Sequence, residues 1–186
     1  FLHWRIQMAS YVTAFNRLYQ AGFSPNLVER PRLEKHMQKV LNDVVKMRGL
    51  ITPASKETHI QKAIFEAIQT VSRNLVCMLE LQINAYWASR PGHFVMLNAH
   101  TLRETQQMTQ QTLLTIAHAL YEGNPQPILA NNEKLNEIVA ELRQLIKEQP
   151  DDNFSETPIH GYVWLTIELA RQLELLSHLI CRALRK

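Results

Sequence analysis

Glycine is scarce in this sequence, five residues among 186, and no two are adjacent. A phosphate-cradling Gly-rich loop therefore cannot be built, and no Gly-x-Ser-x-Gly elbow is present to carry a nucleophilic serine. Only two cysteines occur, Cys77 and Cys181, about a hundred positions apart in apolar helical patterns, so no disulfide scaffold or cysteine-rich metal site is implied. No run of 18 apolar residues exists. The most hydrophobic stretch, Leu75 to Ile83, is broken by Glu80 and Gln82 and is too short to span a bilayer. Strict apolar/polar alternation over five or more residues is also missing, which argues against strands. Charge of one sign is not in strong excess: 20 Lys+Arg against 17 Asp+Glu give a net charge of +3. The basic residues are not concentrated on one face with interleaved aromatics, so nucleic acid is not an expected partner.

What the chain has in quantity is apolar residues, 46% of the total, recurring at spacings of three and four. That period predicts an all-α fold, an elongated single-domain bundle over 1–186 of about six helices. The first runs from about Leu2 to Gln20 and closes at Gly22. The second begins at Pro31, presents Leu33, Met37, Val40, Leu41, Val44 and Met47, and stops at Gly49. A break at Thr52-Pro53-Ala54-Ser55 leads into a long third helix with the stripe Ile64, Ile68, Val71, Leu75, Met78, Leu79, Gln82 and Tyr86. The fourth, from about Phe94 to Glu122, is unusually rich in Thr and Gln. After Gly123-Asn124-Pro125-Gln126-Pro127, a fifth places Leu135, Ile138, Val139, Leu142, Leu145 and Ile146 on one side. The last starts at Thr157, expected to be its N-cap, with Pro158 in its first turn. It carries the most regular seam of the chain, Leu165, Leu169, Leu173, Leu176, Ile180 and Leu184.

Eight histidines raise the question of a metal. His100 with Glu104, His118 with Glu122, and Glu174 with His178 each fall four apart on one helix face, but the Glu-x-x-His pairs of a di-iron bundle do not occur. No metal site and no cofactor are expected. Glu80 sits on the wheel opposite the apolar stripe and should face water. Cys181 follows His178 by three, too little to constitute a Cys–His catalytic pair. The aromatics Tyr86, Trp87, Tyr162 and Trp164 could line a pocket for a flat ligand, with Arg90 or His160 near the helix ends to meet an acid group. Trp87, Arg90, His160 and Trp164 are thus the candidate ligand contacts. No residue set supports an enzyme.

The chain opens on Phe1-Leu2-His3-Trp4-Arg5, with the Trp and Arg that favour a membrane interface, and its densest basic cluster is Arg182, Arg185 and Lys186 at the end. This reads as a piece cut from between transmembrane bundles of a larger protein. Glu156-Thr157-Pro158, followed by Tyr162, Trp164 and Arg171-Gln172-Leu173, resembles the final helix of the central soluble domain of fusaric-acid-resistance-like (FUSC) inner-membrane proteins, particularly the aromatic carboxylic acid efflux pump type. Val45-Lys46-Met47-Arg48-Gly49, followed by a helix opening with Ser55, Glu57 and Thr58, is a second match in the same order. The resemblance implies a non-enzymatic cytoplasmic domain of an inner-membrane efflux transporter for aromatic carboxylic acids or related toxic small molecules, acting in assembly or gating. It implies the transmembrane part of the same chain as partner, and leaves room for a homo-oligomer and for a membrane-fusion-type partner subunit. A free-standing ligand-sensing or adaptor bundle is the alternative.

Overall fold

The computed structural model describes residues 1–24, 32–88, 91–148 and 157–185, with the side chains of 91–99, 102, 145, 146, 148 and 157–160 left out of the description. Seven helices account for nearly all of it: α1 (Leu2–Phe23), α2 (Leu33–Arg48), α3 (Ile51–Thr58), α4 (Lys62–Ala88), α5 (Pro91–Glu122), α6 (Gln126–Glu148) and α7 (Thr157–Leu184). Among the described residues there is no strand. The all-α expectation holds. With 32 residues, α5 is roughly 48 Å long at 1.5 Å per residue, which makes the bundle elongated.

The extra helix is α3. Pro53, read from sequence as a break, lies instead in the first turn of a short helix, where its missing N–H costs nothing. The true break follows it: His59 adopts a left-handed conformation, φ 59°, and the Ser55 hydroxyl donates to the Ile60 carbonyl at 2.7 Å. Helix α2 is described over Leu33–Arg48, and its expected start at Pro31 lies outside the described residues.

Six long helices form a closed ring. α1 packs against α2 and α5, α6 bridges α5 and α7, α7 makes the largest interface of the molecule with α4, and α4 returns to α2. Contacts of α1 with α4 and of α5 with α7 fill the middle, while α3 rests on α4. The core is continuous. Trp4, Met8, Tyr11, Phe15 and Tyr19 of α1 share one cluster with Phe65, Ile68, Leu75 and Leu79 of α4 and with Leu169, Leu173, Leu176, Ile180 and Leu184 of the α7 seam, whose first residue, Leu165, is also buried. At the Phe1 end, Trp4 stacks with Phe1 and meets Phe65 edge-on, with ring centroids 4.9 Å apart in the latter pair.

Two glycines have work to do. Gly123, φ +70°, ends α5, with the Asn124 amide donating to the Ala119 carbonyl at 3.1 Å, the bond that closes a helix through a left-handed residue. Gly22 was expected to close α1, but the helix runs through it to Phe23. Its function is close approach, because a Cβ there would fall 2.3 Å from Ile83 Cδ1.

Candidate functional site

Where α1 ends, its last turns meet the end of α4, the start of α7 and the middle of α5, and the interior there is aromatic and polar together. Phe23 packs edge-on against Tyr19, Tyr86 and Tyr162, at centroid distances of 4.9, 5.3 and 6.1 Å. Tyr86 in turn touches Trp87 and Tyr162. The Trp87 indole N–H donates to the Gly22 carbonyl at 2.8 Å, tying α4 to the last turn of α1.

Beneath the rings lies a buried polar layer. Gln82, fully buried, donates from Nε2 to Thr166 Oγ1 at 2.9 Å, and Thr166 donates to the Tyr162 carbonyl at 2.8 Å. Tyr19 extends the layer beside Thr109, and Tyr162 beside Gln106 and Thr166. Burial pushes the phenols of Tyr19 and Tyr162 well above the ordinary value near 10. Each therefore stays a neutral hydrogen-bonding group. The Thr/Gln-rich segment of α5 finds its place here. Thr105, Thr109 and Thr112 are buried, and each hydroxyl donates to the carbonyl four residues earlier at 2.8 Å. Their hydroxyls are satisfied within the helix, so their methyl groups can face the core. Asn131 of α6 completes the layer by donating to Thr112 Oγ1 at 2.9 Å.

Of the four candidate contacts, Trp87 is half-buried within this cluster, whereas Trp164 is 60% exposed on the outer face of α7. Two positions from Tyr162 on a helix is about 200°, so the two side chains leave α7 in opposite directions. Arg90 and the His160 side chain lie outside the described residues. The structure thus joins Trp87 to Tyr86 and Tyr162, and leaves Trp164 out of their cluster.

A second polar cluster was missed from sequence. Asp43 of α2, 1% exposed, accepts from Gln7 Nε2 (2.9 Å) and Ser10 Oγ (3.1 Å) of α1 and from Lys39 Nζ (2.9 Å). It clamps α2 onto α1. The signal was present, since Asp43 shares its helix face with Val40, Val44 and Met47.

Glu80 is exposed, as its position on the wheel required. The His–Glu pairs form, at 3.2 Å (His100–Glu104), 3.3 Å (His118–Glu122) and 3.6 Å (His178–Glu174), and are solvent-exposed surface pairs. Among the described residues no cluster of three or more metal-ligating side chains occurs, and no helix is long and apolar enough to cross a membrane.

The chain is 69% identical, over all 186 residues, to the inner membrane protein YeeA of Escherichia coli (strain K12). It spans about half of that relative, 53% of its length. No protein-family model matches the chain. No solved structure matches it.

Proposed function

We propose that this helical bundle is the extramembrane part of an inner-membrane protein, standing on the cytoplasmic side and serving assembly or gating of a FUSC-type efflux transporter for aromatic carboxylic acids or related toxic small molecules. The observation that carries the reading is the 69% identity, across the whole chain, to about half of a protein described as an inner membrane protein. The FUSC-like order of Val45–Gly49 and Glu156–Leu173 supports the finer assignment. The proposed role is non-enzymatic, with the transmembrane part of the same protein as partner.

The buried layer beneath Trp87 fits a structural element better than a substrate pocket. Its buried threonines donate to carbonyls of their own helices, so these hydroxyl protons are not on offer to an incoming carboxylate. Hydroxybenzoates should accordingly bind this chain no tighter than about 1 mM, some 4 kcal/mol.

Cysteine accessibility tests the placement. Cys77 is exposed and Cys181 buried, so a membrane-impermeant maleimide should label Cys77 of the full-length protein in inverted vesicles and not in intact spheroplasts, the Cys77→Ser variant identifying the signal. Labelling from the outside would put the bundle in the periplasm. Recovery of the full-length product in the soluble fraction would overturn the reading in favour of a free-standing sensor or adaptor.

A further inference from the structure

At the end of the bundle away from the aromatic cluster, the last residue of α2, the first turn of α3 and the first three turns of α4 enclose a surface cleft of about 330 Å³. Three cations line it: Arg48 from α2, and Lys62 and Arg73 from α4. Positions 62, 66, 70 and 73 fall on one face of α4, and α2 brings Arg48 to that face from the other wall. The one acid is Glu66, 3.9 Å from Lys62, with both side chains more than half exposed, so it engages a single cation weakly. The formal balance of the cleft is therefore +2.

The rest of the lining is polar. Thr52, in the first turn of α3, adds a hydroxyl to the wall. Gln69 has its amide committed to the Val44 carbonyl at 2.8 Å, which fixes the α2–α4 wall without drawing on the arginines. Ile51 supplies the floor, and no aromatic ring lines the cleft. It is thus unsuited to a flat aromatic acid. Two guanidiniums and an ammonium, in a concave wall that concentrates their field, match a compact phosphate oxyanion instead.

We propose that the Arg48–Lys62–Arg73 cleft binds a phosphate group, carried either by a small free phosphate or by an anionic lipid headgroup. This does not rest on the transporter reading and would survive its failure.

Calorimetry with inorganic phosphate and sn-glycerol 3-phosphate, alongside flotation with phosphatidylglycerol and phosphatidylcholine vesicles, tests it. Binding of the soluble phosphates alone assigns the free source, and binding of phosphatidylglycerol but not phosphatidylcholine vesicles assigns the headgroup. In either case Arg48→Gln and Arg73→Gln, both at exposed positions, should each weaken binding about tenfold. Glu66→Gln should tighten it roughly threefold by removing the repelling charge. Arg182→Gln on α7, a residue that does not line the cleft, is the control: it makes the same change in net charge and should leave affinity unchanged. No binding of any probe, equal loss in Arg182→Gln, or no gain in Glu66→Gln would overturn the proposal, the middle outcome reducing it to a diffuse basic surface. Unchanged circular dichroism and melting temperature of the variants keep the comparison free of folding effects.

Discussion

Asp43 shows how one residue fixes the relation of two helices. A carboxylate that is 1% exposed must have partners, and it receives three: Gln7, Ser10 and Lys39. Asp43→Ala would leave the Gln7 and Ser10 donors facing a vacated acceptor, and should cost about 2–3 kcal/mol in denaturant unfolding, with Asp43→Asn costing less because one oxygen remains. Gly22 makes the complementary case, a residue required for what it lacks. Its hydrogen faces Ile83, so Gly22→Ala forces Ile83 to move and should destabilise by about 1–3 kcal/mol despite alanine's better helix propensity. The double variant Gly22→Ala/Ile83→Ala should recover part of that loss, measured as a non-additive coupling in a thermodynamic cycle. Sequence could flag Gly22 but not its reason. A glycine near a helix end reads as a terminator, and only the neighbouring helix reveals it as a contact.

Among the elements, the α4–α7 interface was the most legible and α5 the least. The α7 seam and the α4 stripe follow from apolar spacing alone, and Ile68, Val71, Leu75, Leu79 and Gln82 are buried as that spacing requires. The exception in α2 is Leu41, placed on the apolar face by spacing but 43% exposed, because α2 touches neighbours on two sides only and turns its third side to water. In α5 the signal failed for a chemical reason. Buried threonines bonded to their own helix carbonyls look polar in sequence and behave as apolar in the fold. The basic cleft was equally hidden, since Arg48 and Arg73 lie on different helices and meet only in three dimensions. The α4–α7 interface also carries an asymmetry worth measuring. Gln82 Oε1 has no hydrogen-bond partner, while its Nε2 depends on Thr166. Gln82→Met removes the unpartnered oxygen and leaves Thr166 bonded to the Tyr162 carbonyl, so it should be neutral or stabilising. Thr166→Val strands the buried amide and should cost about 1–3 kcal/mol by the same denaturant assay.

For the molecule as a whole, the buried tyrosines set a limit on the alkaline side. Burial raises the phenol pKa of Tyr11, Tyr19 and Tyr162 far above the ordinary value, and Tyr11 further holds its proton by donating it to the Ser72 carbonyl at 2.6 Å. Below pH about 10 these groups are neutral in both the folded and the unfolded chain, so their titration does not change stability with pH. Above it, the unfolded chain releases three protons that the folded chain retains. Unfolding is then favoured by about 1.4 kcal/mol per pH unit for each tyrosine, or about 4 kcal/mol per unit for the three together. A bundle of ordinary stability, about 5–15 kcal/mol, should therefore lose cooperative structure within a few units above pH 10. Tyr11→Phe isolates one contribution. It removes one titrating group and one buried hydrogen bond, so it should lower stability by about 1 kcal/mol at pH 7 and reduce the slope above pH 10 by about a third. Urea midpoints collected between pH 7 and pH 11.5 for the two proteins measure both effects, and equal slopes would mean that Tyr11 ionises as readily in the folded bundle as in the unfolded chain.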